Sequence, residues 1–167
     1  MIQIYTGDGK GKTTAALGLA IRAAGAGKHV FIGQFIKGLE YCELRSLKKF
    51  RNIKVEQFGR GCFIKGKPGR KDKELACAGL NRIREIAKKQ KFDLIILDEI
   101  NVALDLKLVD CGEVLELIKN TPEKIELVLT GRDAPADLIK TADLVSEIRE
   151  VKHYFRKGQI ARRGIEY

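Results

Sequence analysis

A segment rich in glycine and lysine follows the first apolar residues of the chain and could bind a phosphate group. Glycines at every second position let successive backbone N–H groups turn toward an anion, and the N-terminus of a following helix adds its positive end. We expect Lys12 to reach a phosphate oxygen and the Thr13 hydroxyl to bind Mg²⁺. A plain glycine turn with solvated lysines is the alternative. The segment comprises Thr6, Gly7, Asp8, Gly9, Lys10, Gly11, Lys12, Thr13 and Thr14, with Thr6 in the place where this motif usually has glycine.

Two acidic residues, Asp98 and Glu99, come directly after the apolar run at 94–97. Such a run is typical of a strand buried on both faces, and α/β sheets bind ligands at the carboxyl ends of their strands. An acid placed there lies beside a phosphate-binding loop and helps to hold Mg²⁺. Because neighbouring side chains on a strand point to opposite faces, we expect only one of the two to contact the metal, unless the strand ends there. A helix cap or a surface pair is the structural alternative.

Apolar runs typical of strands alternate with helical patterns from one end of the chain to the other. This alternation predicts one α/β domain over residues 1–167, with a mainly parallel β-sheet flanked by helices. The predicted strands cover residues 2–5, 30–35, 53–58, 94–97, 127–130 and 144–149. The predicted helices cover residues 13–24, 41–50, 73–89 and 110–120, with a short one ending near residue 141.

Three local patterns add detail to this outline. Asp110 and Glu113 form the spacing of a capping pair at the start of a helix. The connection at 59–70 is rich in glycine and basic residues and longer than a plain turn, which favours a functional loop over a simple surface loop. A last hairpin is predicted around residues 156–159, where a glycine follows two basic residues.

The composition restricts the class of protein. With 167 residues, 44% of them hydrophobic and 32% charged, the chain can bury a core of its own. No apolar run approaches the roughly 20 residues of a membrane helix and no signal-peptide pattern is present, so we expect a cytoplasmic protein. The four cysteines are scattered without a Cys-x-x-Cys pair, which argues against structural zinc and a disulfide framework and favours small buried or half-buried side chains. With only two histidines, a histidine-rich metal site is excluded.

A net charge of +10 could serve the phosphates of a nucleic acid or a small anionic ligand such as a polyphosphate. The basic residues are interleaved with acidic ones in most stretches, and aromatic residues make up only 7% of the chain. A stacking platform for single-stranded nucleic acid is therefore not indicated. We expect most lysines to cover solvated faces, and nucleic acid is not the favoured partner.

The sequence resembles the phosphate-loop family of corrinoid adenosyltransferases, which act on cob(I)yrinic acid a,c-diamide and related corrinoids, over nearly its whole length. The resemblance begins with residues 6–16, including the absent first glycine. Several separate blocks in the same order are more specific than any single motif. The further blocks are Gln34-Phe35-Ile36-Lys37-Gly38, Leu97-Asp98-Glu99-Ile100, Thr130-Gly131-Arg132, residues 142–149, Val151-Lys152-His153 and Gly164-Ile165-Glu166-Tyr167.

The resemblance implies a P-loop NTPase-like (RecA-like) fold in which ATP donates its adenosyl group and not a phosphate. A Co(I) corrinoid would attack the 5′ carbon of ATP, and triphosphate would leave. The residues implied to bear the triphosphate charge, together with the loop amides and Mg²⁺ or Mn²⁺, are Lys12, Lys10 and Arg132. Those implied to hold the metal are Thr13, Asp98 and Glu99.

The same resemblance implies the remaining parts of the site and its partners. Arg22 matches a family position near the nucleoside, and Phe63 matches the apolar neighbourhood that covers the lower face of the corrinoid. Family members often have a second aromatic residue there, whereas this chain has Cys62 and Ile64 around Phe63. A reduced flavoprotein is the implied electron donor, because Co(I) is not stable in an aerobic cell. The family also implies a homodimer.

Other functions fit the residues when the resemblance is set aside. A phosphate-binding loop with an Asp-Glu pair suits a basic ATPase that acts with nucleic acid, and it suits a small-molecule kinase. Both would release ADP, whereas only the transferase would release triphosphate. A regulatory module would bind ATP and release no product.

Overall fold

One six-stranded sheet forms the centre of the computed structural model, which describes residues 1–61 and 66–167. Its strands are β1 (Ile2–Thr6), β2 (Val30–Lys37), β3 (Ile53–Gly61), β4 (Leu94–Asp98), β5 (Glu126–Thr130) and β6 (Leu144–Glu147). Their order is β3-β2-β4-β5-β1-β6, and every neighbouring pair is parallel. The prediction of an α/β fold with a parallel sheet is therefore confirmed.

Helices cover both faces of the sheet, and alternate strand residues divide the core between them. Phe31, Ile95 and Leu127 pack on the face that carries α3 to α6, whereas Ile32 and Ile96 pack on the face that carries α1 and α2. The helices are α1 (Lys12–Gly25), α2 (Cys42–Leu47), α3 (Arg70–Lys89), α4 (Ile100–Asp105), α5 (Cys111–Asn120) and α6 (Ala136–Thr141), with a 3₁₀ helix at Tyr154–Lys157. None of the described helices is long and apolar enough to cross a membrane.

Helix α1 lies close to the sheet because its buried stripe consists of alanines. Ala16, Ala20 and Ala23 recur at helical spacing and are at least nine-tenths buried. Small side chains let the helix axis approach strands β4 and β5, both of which α1 contacts. The N-terminus of α1 is thereby fixed at the edge formed by the carboxyl ends of the strands.

Several predicted elements differ from the observed ones. The hairpin expected around residues 156–159 is wrong: the chain forms the 3₁₀ helix there, and the left-handed Gly158 (φ 83°) ends it. Helix α4 was not predicted, because it is only six residues long and its N-cap is Glu99, a residue that does not favour that position. Asp110 does cap α5 by accepting a bond from the Gly112 N–H at 2.8 Å, but Glu113 pairs with Arg84 instead of completing a capping box.

The bounds of several elements also differ from the predicted ones, since β3 extends to Gly61 and β6 already ends at Glu147. Helix α3 begins at residue 70 and not 73, because the Asp72 side chain accepts the Gly69 N–H at 2.9 Å and closes the first turn. Helix α2 is shorter than residues 41–50, and β2 extends to Lys37. Among the described cysteines, Cys42, Cys77 and Cys111 are partly buried free thiols, as predicted.

Gly79 is required on α3 because the helix packs directly on Phe58 of β3. A Cβ at residue 79 would lie 2.5 Å from Phe58 Cγ. We expect Gly79→Ala to lower the free energy of unfolding by about 1–3 kcal/mol through overpacking, although alanine favours a helix. Gly18→Ala in α1 is the matched control, since a Cβ there meets nothing within 4 Å. It should raise stability by up to about 1 kcal/mol in the same urea titration, and a Gly79→Ala protein as stable as Gly18→Ala would contradict the packing described.

Candidate active site

The predicted phosphate-binding loop joins β1 to α1 at the carboxyl edge of the sheet. Gly11 has φ 125°, a conformation that favours glycine, and α1 begins immediately after it at Lys12. The N-cap residue Gly11 has no side chain, and no side chain of the described residues caps the N–H groups of the first turn. Together with the helix dipole, these groups make an anion site at the start of α1.

The first half of the loop is held against the chain that leaves β6. The Gly9 N–H donates to the Ile148 carbonyl at 2.7 Å, and a Cβ at Gly7 or Gly9 would lie 2.6 or 2.7 Å from the same oxygen. Glycine is therefore needed at these two positions for a close backbone approach. The expectation that successive loop N–H groups all face an anion is corrected for Gly9, whose N–H already has a protein acceptor.

Lys12 lies buried in the loop, with 8% of its surface exposed. Its ammonium donates to the carbonyl oxygens of Gly7 and Gly9, the latter at 2.8 Å. Burial lowers the pKa of Lys12, and the nearby Arg132 acts in the same direction while Glu99 opposes it. An ammonium has three protons, so one remains for a phosphate oxygen beside the loop.

Lys10 is partnered by the C-terminal end of the chain. Its Nζ donates to the Ile165 carbonyl at 2.8 Å and lies 3.7 Å from a Glu166 carboxylate oxygen. Bonds from Tyr154 and Arg162 hold the pKa of Glu166 at about 2, so this carboxylate is ionised beside the loop. Sequence reasoning noted the last residues only as a family block and gave them no contact with the loop.

The other residues predicted to bind the nucleotide or the corrinoid occupy different positions. The Thr6 hydroxyl is buried and accepts the Ala134 N–H at 3.3 Å, so it links the loop to the segment after β5. Asp8 and Thr14 are exposed at the loop. Arg22 is exposed in the last turn of α1, about 15 Å along the helix from Lys12 at 1.5 Å per residue, so the structure does not bring it to the loop. Phe63 lies outside the described residues.

The Asp98 carboxylate is the centre of the acidic half of the site. It is only 1% exposed, and both of its oxygens accept two hydrogen bonds each. Oδ1 accepts from the hydroxyls of Thr13 at 2.8 Å and Thr130 at 2.7 Å. Oδ2 accepts from Lys37 Nζ at 2.8 Å and Gln34 Nε2 at 3.2 Å. The start of α1 is thus bonded to the ends of β2, β4 and β5 through one side chain.

Glu99 differs from its neighbour in almost every respect. Strand β4 ends at Asp98, and Glu99 adopts a left-handed conformation with φ 62°, which is why two consecutive acids can face one site. Its N–H donates to Thr130 Oγ1 at 3.0 Å. Over residues 1–61 and 66–167, its carboxylate has no hydrogen bond or ion pair. Burial, with the charge of Asp98 added, raises the pKa of Glu99 above the ordinary value.

Arg132 supplies an exposed cation on the other side of the loop. It follows Gly131, whose φ is 134° and whose absent Cβ would lie 2.9 Å from Asn101 Cβ. Its charge acts on both Lys12 and Glu99. The structure therefore brings together Lys12, Thr13, Asp98, Glu99 and Arg132, five of the residues that the sequence analysis named; their roles remain predictions.

Three residues of this arrangement were missed by sequence reasoning. Lys37, Gln34 and Thr130 all bond Asp98, yet they were seen only as members of family blocks and were assigned no role. The signal that could have revealed Thr130 is its place at the end of a strand predicted to lie at the same sheet edge. No such signal existed for Lys37, because regular alternation of side chains along β2 does not predict its contact with Asp98.

The oxygen atoms at this edge fit a hard divalent cation completed by phosphate and water. The Thr13 hydroxyl donates a hydrogen bond to Asp98, so the Thr13 oxygen keeps a lone pair for a cation. Glu99 offers a carboxylate that has no partner among the described residues. The described residues contain no cluster of three or more His, Cys, Asp or Glu side chains that could hold a metal alone. A cation bound largely through a nucleotide suits such a site.

Comparison with known proteins agrees with this geometry. The family model of the ATP:corrinoid adenosyltransferase BtuR/CobO/CobP matches residues 1–167. A corrinoid adenosyltransferase of Sinorhizobium sp. is 36% identical over 171 residues, which cover 100% of this chain and 80% of that protein. The corrinoid adenosyltransferase of Escherichia coli K12 is 34% identical, and the corrinoid adenosyltransferase CobA of Salmonella typhimurium is 33% identical. Each of these two alignments covers 100% of this chain and 85% of the relative.

A solved structure shares the fold at low sequence identity. The KaiC-like protein PH0186 of Pyrococcus horikoshii OT3 superposes with a TM-score of 0.57 at 17% identity, covering 87% of this chain and 71% of that one. This likeness supports the P-loop fold alone. The full-length family match and the relatives together show that the chain belongs to the ATP:corrinoid adenosyltransferase family BtuR/CobO/CobP.

Proposed function

We propose that this protein transfers the 5′-deoxyadenosyl group of ATP to the Co(I) centre of a corrinoid and releases triphosphate, in the biosynthesis or salvage of adenosylcobalamin. The observation that carries the proposal is the family match over residues 1–167, with relatives named corrinoid adenosyltransferases. The geometry at the sheet edge agrees with it, since cations and first-turn N–H groups surround the place where a triphosphate would lie.

The reaction is a displacement at carbon. The electron pair of Co(I) forms the bond to the 5′ carbon, the bond from that carbon to the 5′ oxygen breaks, and its electrons leave on triphosphate. Cobalt is formally oxidised to Co(III). No proton is transferred in this step, so a general base is not needed. The protein has to place the reactants in line and stabilise the charge of the leaving group.

The charge of the leaving group is met by residues at the loop. The third N–H of the Lys12 ammonium would donate a hydrogen bond to the triphosphate, and the first-turn N–H groups of α1 would donate hydrogen bonds beside it. Arg132 adds an exposed cation next to Lys12. Lys10 can join them by exchanging its contacts with Ile165 and Glu166 for a phosphate oxygen.

A bound Mg²⁺ or Mn²⁺ would neutralise part of the triphosphate charge. Thr13 and Glu99 are the side chains we propose to hold it. Among the described residues, the Thr13 oxygen accepts one long bond, from Lys37 Nζ at 3.4 Å, and keeps a second lone pair, while the Glu99 carboxylate has no partner. Asp98 would orient the Thr13 hydroxyl, since its own oxygens are already occupied. Glu99 then serves the metal and does not activate a water molecule.

The corrinoid side of the site and the partners rest on the family resemblance. We propose that Phe63 covers the lower face of the corrinoid and that Arg22 lies near the nucleoside. A reduced flavoprotein would supply the electron that converts Co(II) to Co(I). A homodimer and a cytoplasmic location, where ATP and reduced flavoproteins are both present, complete the proposal.

The products of an anaerobic reaction test the function. With ATP, Mg²⁺ and a chemically reduced Co(I) corrinoid, we expect a light-sensitive Co–carbon product and free triphosphate in equal amounts. Lys12→Ala should lower the rate by about 10²-fold or more because it removes a buried cation from the leaving group. Lys124→Ala, at an exposed lysine, is the matched control and should behave like the unchanged protein. Formation of ADP without an adenosylated corrinoid would contradict the proposal and favour an ATPase or a kinase.

The stability of a Glu99→Gln variant tests the state of this acid. A raised pKa in the folded protein means that Glu99 favours folding when protonated and loses that contribution as pH rises through the raised value. Glutamine stays neutral, so the metal-free variant should be more stable than the unchanged protein at about pH 7.5, and the difference should shrink toward about pH 5. In the presence of Mg²⁺ and ATP, the unchanged protein should gain more stability than the variant.

Urea titrations across this pH range measure the effect. Glu123→Gln, at an exposed acid outside the site, is the matched control and measures the effect of losing one surface carboxylate. The interpretation would be contradicted if Glu99→Gln were less stable than the unchanged protein near neutral pH, or if the stability difference between the two did not depend on pH. Either result would show that the ionised Glu99 carboxylate does not destabilise the folded protein.

A further inference from the structure

Lys37 places an ammonium group beside Asp98 in the acidic half of the site, in addition to the cations at the loop. Its Nζ donates to Asp98 Oδ2 at 2.8 Å and to Thr13 Oγ1 at 3.4 Å, and it lies 5.4 Å from the centroid of the Tyr41 ring. The Lys37 side chain is 12% exposed and that of Asp98 is 1% exposed. Burial alone would lower the pKa of Lys37, but the charge and the hydrogen bond of Asp98 outweigh it and raise the pKa, so the side chain remains an ammonium.

The backbone of β2 is bent to bring this ammonium to Asp98. Gln34 and Lys37 are three residues apart, so a regular strand would point them to opposite faces of the sheet. Both nevertheless bond Asp98 Oδ2. The register with β3 shifts between Phe35 and Lys37, and Ile36 adopts a left-handed conformation with φ 68°. This conformation is rare for a β-branched residue and costs on the order of 1–3 kcal/mol.

Gly59 of β3 and Gly38, the residue after β2, make room for the bulge. A Cβ at Gly59 would lie 2.1 Å from the Ile36 carbonyl oxygen, and a Cβ at Gly38 would lie 2.3 Å from the Gly59 carbonyl oxygen. Strained backbone persists only where its surroundings enforce it, and here the neighbouring strand does so. The fold therefore fixes the backbone position of Lys37 beside Asp98, unlike that of a lysine on a mobile surface segment.

We propose that Lys37 is a positioning residue, a fixed counter-cation that holds Asp98 turned away from the divalent metal and lowers the affinity of the site for that metal. The inference rests on the metal site proposed above. With Lys37 on Oδ2 and two hydroxyls on Oδ1, Asp98 has no lone pair directed at a metal, which leaves Thr13 and Glu99 as the binding side chains. The ammonium also offsets one of the two negative charges that would attract the metal.

Binding of Mn²⁺ to the nucleotide-free protein tests the role, with the free Mn²⁺ signal followed by electron paramagnetic resonance. Lys37→Met removes the charge while keeping a similar length, and we expect Mn²⁺ to bind about tenfold more tightly or better, since Asp98 regains an unpaired charge. Lys37→Arg keeps the charge and should bind Mn²⁺ as the unchanged protein does. Lys48→Met, at an exposed lysine paired with Glu40, controls for the loss of one surface charge.

The proposal would be wrong if Lys37→Met bound Mn²⁺ with the same affinity as the unchanged protein, or more weakly. It would also be wrong if neither protein bound Mn²⁺. If Lys37 had only a structural role, Lys37→Met would change the stability of the protein without raising its affinity for Mn²⁺. The product assay distinguishes failure of the role proposed for Lys37 from failure of the proposed adenosyl transfer. If adenosyl transfer occurs and Mn²⁺ affinity does not rise, only the role of Lys37 fails, whereas absence of transfer by the unchanged protein removes the function itself.

A measurement on the unchanged protein covers the case in which Lys37→Met does not fold. A buried, hydrogen-bonded lysine ammonium gives a slowly exchanging ¹⁵N–¹H signal, which Lys37→Arg would assign by its disappearance. We expect this signal to persist when Mg²⁺ and ATP are added, because Lys37 stays on Asp98. Loss of the signal to fast solvent exchange would show that the metal displaces the lysine, and the proposal would be wrong.

Discussion

The buried carboxylate of Asp98 is the constraint on which the ligand-binding edge of the sheet depends. A carboxylate removed from water is costly unless it is paired and fully hydrogen-bonded. Asp98 meets that requirement with partners from three neighbouring parts of the fold, which are α1 through Thr13, β5 through Thr130 and β2 through Gln34 and Lys37. Each partner can reach it only if the strands keep their register and α1 begins at Lys12. The same bonds that satisfy one buried charge therefore fix the start of the phosphate-binding helix against the sheet.

The two acids of the Asp-Glu pair have different surroundings because the strand ends between them. Asp98 is the last residue of β4 and is enclosed, whereas Glu99 is left-handed, begins the turn into α4 and keeps a free carboxylate among the described residues. Opposite them, Lys12, Lys10 and Arg132 gather positive charge around the helix N-terminus. Such a site suits a leaving group that carries several negative charges, and displacement at carbon needs no proton acceptor. Family membership and local chemistry agree on this point.

The parallel sheet, the loop and the acidic pair could be predicted from the sequence because each depends on a local pattern. The apolar run at 94–97 and the Gly-Lys-Thr turn define their own surroundings. The contact of Lys37 with Asp98 could not be predicted, because it depends on a bulge that breaks strand alternation, on Gly59 of β3 and on Gly38 just after β2. The contact of Lys10 with Glu166 joins residues 156 positions apart, and no local pattern reports such a pairing. Helix α4 was missed for a third reason: six residues without a favoured N-cap give too weak a signal.

In the proposed reaction, the bond from the 5′ carbon of ATP to its oxygen is the one that breaks. ATP labelled with ¹⁸O at the 5′ bridging oxygen, reacted anaerobically with a Co(I) corrinoid and analysed by mass spectrometry, tests this directly. If cobalt attacks the 5′ carbon, all of the label leaves with triphosphate and none stays with the adenosyl group. If the label remains on a nucleotide such as ADP or AMP, a phosphorus–oxygen bond has been broken and the protein is not acting as an adenosyltransferase.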